Sequence, residues 1–357
     1  MKKSLRCLVA ATASVVSTGA IAATNMENPL YMPQNREVYL KTAVAGMYKT
    51  VEGTQATEKK GTSGQTEFPV WRFFGDIGYG ITDRLDVHGH FGYTRDNEIN
   101  RKGMHRARIG LMYRALTDDD PFVLDLYGDA YLSGITPMKG TYTPKGFDFD
   151  NYSNGRWGAI VGTRFGKTLG DFTLAGHVEY LQTFGNHNNK IALDPSLRPL
   201  AKKFPAPHPF SNVTMEQLGF PAEISVDLKS THETVAGFDA MYQLSKKWSL
   251  GGGFEYIEHY DNGVKGIHTQ LGTPNVTGDA TTDQALQAGV VEGLLAETKD
   301  MDDGWDEYVI KTMVSYQYTD DVQFSAFFEY TLDDAHAKSQ NATDEKMELG
   351  IRMGARF

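Results

Sequence analysis

Segments of about ten residues in which apolar side chains alternate with polar or small ones recur along the chain after its first few dozen residues. That period of two suits a strand whose two faces meet different surroundings. Val322, Phe324, Ala326, Phe328 and Tyr330 alternate with Gln323, Ser325, Phe327 and Glu329, and Trp248, Leu250, Gly252, Phe254 and Tyr256 alternate with Ser249, Gly251, Gly253 and Glu255. Helical spacing is nearly absent. The pattern predicts twelve strands, over residues 37–49, 67–81, 85–94, 104–116, 122–134, 156–166, 172–183, 233–244, 248–259, 306–318, 322–332 and 346–357.

The connectors between these strands alternate in length. Five are tight and polar, at Thr82 to Arg84, Thr117 to Pro121, Lys167 to Asp171, Ser245 to Lys247 and Thr319 to Asp321, and they carry the Asp, Gly and Pro of turns. The six between them are longer, above all 184–232 and 260–305. Short turns on one side and long loops on the other predict a transmembrane antiparallel up-and-down β-barrel, with its turns in the periplasm and its loops outside.

The face assignments point the same way. On the outward face Tyr79, Tyr113, Phe122, Phe165, Phe172, Tyr242, Trp248, Tyr316, Tyr318 and Phe324 gather near the turns. Trp71, Phe73, Phe91, Tyr93, Trp157, Tyr180, Tyr256, Tyr308 and Tyr330 gather near the loops, with small and aliphatic residues between the two sets. Two aromatic belts around an aliphatic band imply contact with a lipid bilayer. A soluble sandwich or propeller would use such aromatics to fill a core, but it would not sort its connectors into short and long sets.

Residues 1–22 read as a secretory signal peptide: Lys2, Lys3 and Arg6 precede a mostly apolar or small stretch, Leu8 to Val16, and Ala20-Ile21-Ala22 is a small-x-small cleavage site. The single Cys, Cys7, lies in this leader, so the mature chain has no thiol for a disulfide, a metal or a nucleophile. Residues 23–36 are then a periplasmic N-terminal segment and 37–357 the barrel. After the leader no apolar run approaches the roughly 18 residues of a membrane helix. Loss of the three leader cations takes the formal charge from -10 to -13, which argues against nucleic acid as a partner.

The final strand places Leu349, Ile351, Met353, Ala355 and Phe357 at alternate positions with an aromatic at the end. This resembles the C-terminal signal of Gram-negative outer-membrane barrels, and the resemblance implies the cell outer membrane as location and the barrel-assembly machinery as a partner during biogenesis. The run Tyr79 to Val87 resembles one hairpin of the meta-pathway phenol-degradation outer-membrane proteins; that likeness implies no substrate.

With the outward faces assigned, the other faces line a lumen. Its predicted acids are Asp76, Asp86, Asp125, Asp129, Glu179, Asp239, Glu255, Glu329 and Glu348, and its bases are Lys41, Arg72, Arg106, Arg108, Arg114, Arg164, Lys311, Arg352 and Arg356, so the wall is balanced. The tight turns set Arg114 opposite Asp125 and Lys311 opposite Glu329. Facing charges of this kind either form a narrow polar constriction or close the interior, and twelve strands fall between filled and open barrels. His88 and His90 are inward beside Asp86, but no third metal ligand is identifiable by spacing. Neither a metal nor any other cofactor is expected. The reading is a porin-like, narrow and weakly selective channel for small solutes, with a closed structural or surface-recognition barrel as its competitor.

Two resemblances to barrel enzymes carry less of the chain. Ser153-Asn154-Gly155 resembles part of the outer-membrane phospholipase motif, yet Asn151 stands where that family has its His, so the Ser lacks a base. Asp148, Asp150, Asp334 and His336 resemble the acid pair and the Asp-His pair of omptin proteases, which have ten strands. Of the long loops, the fourth, with Pro195, Pro199, Pro205, Pro207 and Pro209, is expected to be irregular. The fifth is expected to hold a helix over Asp283 to Glu297, capped by Thr282, with Leu286, Val290, Val291, Leu294 and Leu295 on one side.

The terminal strand yields a test. Phe357→Ala, or deletion of Phe357, is expected to lower the amount of heat-modifiable barrel in outer-membrane fractions, and unchanged amounts would contradict the assignment of the signal.

Overall fold

A computed structural model describes residues 25–51, 70–96, 101–135, 137–143, 146–149, 155–185, 189–201, 203–260, 264–297, 305–333 and 343–357. In chain order its strands are β1 (Val38–Val51), β2 (Val70–Thr82), β3 (Leu85–Asp96), β4 (Arg101–Leu116), β5 (Val123–Tyr131), β6 (Lys139–Thr143), β7 (Gly146–Phe149), β8 (Trp157–Leu169) and β9 (Phe172–Phe184). They continue as β10 (Asn189–Leu193), β11 (Glu223–Leu228), β12 (His232–Gln243), β13 (Trp248–Tyr260), β14 (Val264–Ile267), β15 (Trp305–Gln317), β16 (Val322–Asp333) and β17 (Thr343–Arg356), and the described residues include an α-helix, α1 (Ala280–Glu297).

Twelve of these strands form a closed antiparallel barrel in the order β1, β2, β3, β4, β5, β8, β9, β12, β13, β15, β16, β17 and back to β1. They are the twelve predicted from the alternation. Closure is by β1 on β17, with Leu40 opposite Ala355 and Val44 opposite Ile351. The last residue completes the seam: the Phe357 amide donates to the Val38 carbonyl at 2.9 Å and the Val38 amide to the Phe357 carbonyl at 3.1 Å. No strand edge of the barrel is left for lipid to face, the condition for a sheet to cross a membrane.

The outer wall carries the expected belts. Tyr79, Tyr113, Phe165, Trp248 and Phe324 are exposed near the turns, and Trp71, Phe73, Phe91, Trp157 and Tyr308 near the loops. Between them Ile77, Leu126, Val161, Ile310 and Ile351 are exposed too, Val161 at 59% and Ile351 at 63%. So much exposed aliphatic surface is stable only where lipid covers it, which places the barrel in the outer membrane.

Three neighbouring loops, after β5, β9 and β13, build a second unit. They contribute a five-stranded sheet in the order β14, β11, β10, β6, β7, in which β10 runs parallel to β6. Ile191, Met215, Leu218, Ile224 and Val226 are buried in its core together with Val290 and Leu294 of α1. The fourth loop is therefore not irregular throughout, because its proline-rich middle is flanked by β10 and β11. The helix starts earlier than expected and its cap is Asp279, not Thr282: the Asp279 carboxylate accepts the Thr282 hydroxyl at 2.5 Å and its amide at 3.2 Å. Those two bonds hold the Asp279 carboxyl below its usual range.

The face assignment generates a paired test. Ala326 is exposed on the outer wall at mid-strand, whereas Thr331 on the same strand lines the interior. Ala326→Arg is expected to destabilise the refolded barrel by about 2–4 kcal/mol in denaturant unfolding, and Thr331→Arg by much less. The opposite order would reverse the faces.

Candidate functional site

The inside of the barrel is polar because each strand turns every second residue away from lipid, and charged groups there must find partners. Nearest the turns lies a stopper made by the chain itself. The sequence reading set residues 23–36 ahead of the barrel, in the periplasm. Residues 25–32 instead lie inside its periplasmic end, where Asn25, Met26, Asn28, Leu30, Tyr31 and Met32 are buried.

Short amide side chains explain this placement. The Asn25 amide donates to the Ser249 hydroxyl at 2.9 Å, and the Gln323 amide donates to Asn25 Oδ1 at 2.6 Å. Gln323 Oε1 in turn accepts the Met26 amide at 3.0 Å. Glu27 accepts from the Ser325 hydroxyl and from Arg352, each at 2.8 Å. Basic wall residues take the backbone carbonyls: Lys41 donates to Met26 at 2.5 Å, Arg114 to Leu30 at 2.7 Å and Arg164 to Tyr31 at 3.1 Å. Arg114 and Arg164 are themselves held by the fully buried Asp125, at 2.8 Å and 2.5 Å.

A middle layer follows. His88 bridges Asp86 at 2.9 Å and Asp129 at 3.0 Å, and His90 meets Asp76 at 2.6 Å. Arg108 and the Tyr127 hydroxyl converge on Glu179 at 3.0 Å and 3.1 Å. Tyr127 lies flat across Gly162, where an added Cβ would come within 2.3 Å of the ring. His177 stands 3.2 Å from Glu255 and 3.5 Å from Asp239, and Lys311 also bonds Glu255. Lys311 is in register with Glu329 as expected, but its hydrogen bond goes to Glu255 on the other neighbouring strand. Arg72 pairs with Glu348.

Nearer the loops lies a third layer absent from the sequence reading: Glu233 with His259 at 2.9 Å, and Glu307 with Lys346 at 2.7 Å. These residues lie within the predicted strands and share the parity of Asp239, Glu255, Lys311 and Glu348, so carrying the face assignment to the loop ends of those strands would have found them. Arg106 is also here, 3.7 Å from Glu233. Arg356 borders neither cavity and pairs with Asp321 of a tight turn at 3.3 Å. Among the described residues the interior therefore holds twelve acids, the nine predicted plus Glu27, Glu233 and Glu307. Ten bases face them: eight of the predicted nine, with Lys346 and Arg156. Leaving the histidines aside, acids outnumber bases by two in this set, where the predicted set had nine of each.

Among the described residues, cavities open within this network. One of about 840 Å³ spans the middle and loop-side layers, and one of about 330 Å³ lies between the N-terminal segment and the wall. Tyr39, Arg164, Lys311, Phe327, Glu329 and Arg352 border both. No group of three or more potential metal ligands stands together among the described residues. Asp150, Asn151, Ser153, Asn154, Asp334 and His336, which carry the two enzyme resemblances, lie outside the described residues.

No family model matches the chain, and no curated protein matches it. Solved structures do. An outer-membrane channel from Pseudomonas putida F1 is 12% identical with a TM-score of 0.52, the match covering 93% of this chain and 99% of that one. The NanC porin, at 8% identity over 87% of this chain and 98% of its own, has a TM-score of 0.38. The translocator domain of the autotransporter NalP from Neisseria meningitidis, at 12% identity over 97% and 98%, has 0.39. At such identities the likeness to the P. putida structure is one of fold, and with the closed lipid-facing wall it makes this chain an outer-membrane β-barrel.

Proposed function

We propose that the protein is a narrow channel for small solutes, weakly selective for cations, whose periplasmic end is narrowed by its own N-terminal segment. The observation that carries this reading is the larger cavity: about 840 Å³, walled by many acidic and basic side chains and bordered by the smaller one beneath it. A barrel built only as a structural element would gain more from an apolar filling, because each buried charge pair must recover a large desolvation cost. Charged walls that water can reach suit passage of polar solutes.

The N-terminal segment makes the path narrow. It is tied to the wall mainly by hydrogen bonds of one or two atoms each, so its removal would leave the twelve strands and their pairing in place. Selectivity follows from the charge balance. Counted over Asp, Glu, Lys and Arg alone, twelve acids face ten bases, and the field of that acidic excess is screened by salt over roughly 8–10 Å at 0.1–0.15 M. The large negative charge of the mature chain, much of it on loops and rims, acts in the same direction.

Planar-bilayer recordings test both points. The full mature chain is expected to give small discrete conductance steps, and a chain lacking residues 25–32 larger ones. Reversal potentials across a salt gradient are expected to show cation preference that weakens as ionic strength rises. Silence of both chains would favour a closed barrel, and anion preference would contradict the charge assignment.

A further inference from the structure

Arg106 stands apart from every other lumenal base. Its backbone adopts φ of 51°, in the left-handed region, which a residue with a side chain keeps only where its surroundings impose it. The cause is a bulge in β4: His90 faces Arg108 and Gly92 faces His105, so Arg106 and Ala107 together oppose the single Phe91. A bulge of this kind re-aims the side chain it carries. Here the guanidinium crosses the bore, for its acidic neighbour Glu233 belongs to β12, four strands away around the wall.

The contact it makes there is loose. At 3.7 Å it is an ion pair beyond hydrogen-bond distance, and Glu233 already binds His259 while the adjacent Glu307 already binds Lys346. By contrast Arg114 and Arg164 are locked on Asp125, Arg108 on Glu179 and Arg352 on Glu27. The Arg106 side chain is 51% exposed and borders the larger cavity. A solute moving down the lumen thus meets a guanidinium with donors to spare, reaching toward a carboxylate wall.

Resting on the channel reading, we propose that Arg106 is a specificity-determining residue and that the Arg106 layer favours small zwitterions, their carboxylate on Arg106 and their ammonium against Glu233 and Glu307. A guanidinium suits a carboxylate through paired N–H donors. A simple anion would also meet the two carboxylates opposite, a simple cation would meet Arg106, and a neutral polyol would gain from neither. Only a solute carrying both charges complements both sides.

Swelling of proteoliposomes bearing the full mature chain, in isosmotic glycine or erythritol, tests the proposal. Arg106→Ala is expected to lower the glycine-to-erythritol rate ratio several-fold, Glu233→Gln to lower it as well, and Arg106→Lys, which keeps the charge, to retain part of it. Heat-modifiability checks that each variant is folded, and the two conservative changes keep the test valid should Arg106→Ala fail to insert. If Arg106→Ala speeds both solutes alike, or if the ratio is the same in all variants, Arg106 is an obstruction without preference and the proposal falls while the channel reading stands. If the unaltered chain passes neither solute, the channel reading falls and this inference with it.

Discussion

Closure of the sheet is the constraint on which everything else depends. In hydrocarbon an unpaired backbone amide or carbonyl costs several kcal/mol, so the strands can cross the membrane only if the first pairs with the last. The Val38 and Phe357 backbones exchange two hydrogen bonds at that seam, and the register running from it sets which residues meet lipid. Shifting one strand by a single residue would carry its charged set outward. The strict alternation along β15, β16 and β17 is the sequence form of that demand.

Closure also determines what must happen inside. Twelve strands enclose more room than their inward side chains fill, and many of those side chains are acidic or basic. The chain answers with networks in which most lumenal acids hold a cationic or hydrogen-bonding partner, and with an N-terminal segment whose amides and carbonyls satisfy the polar groups of the periplasmic end. Asp125 links the two answers: it orients Arg114 and Arg164, and these hold the carbonyls of Leu30 and Tyr31. The space left open begins above this layer and reaches the looser contact of Arg106.

Those parts that repeat were legible in the sequence, and those that depend on a single tertiary contact were not. All twelve barrel strands could be read because each alternates for about ten residues and ends in an aromatic or a turn residue. The third charge layer was missed because Glu233, Glu307 and Lys346 lie at strand ends, where alternation fades into loop. The stopper was missed because Asn25 to Met32 has no period; its position is fixed by Ser249, Gln323 and Thr173, some 145 or more residues away. Strands of four to six residues flanking prolines, such as β10 and β11, give too short a pattern to recognise. The helix cap was assigned to Thr282 because the apolar spacing begins only at Leu286, whereas the Asp279 carboxylate caps a turn that has no apolar face.

One measurement reaches the central claim, a lipid-facing wall around a polar, water-accessible interior. Residues 25–357 contain no cysteine, so single cysteines can be stepped along β15 from residue 307 to 314 in the membrane-inserted protein and challenged with a membrane-impermeant maleimide. Positions 307, 309 and 311, which line the larger cavity, are predicted to react, and positions 308, 310 and 314, which face outward, to resist. Reaction without a period of two, or with the opposite phase, would contradict the account.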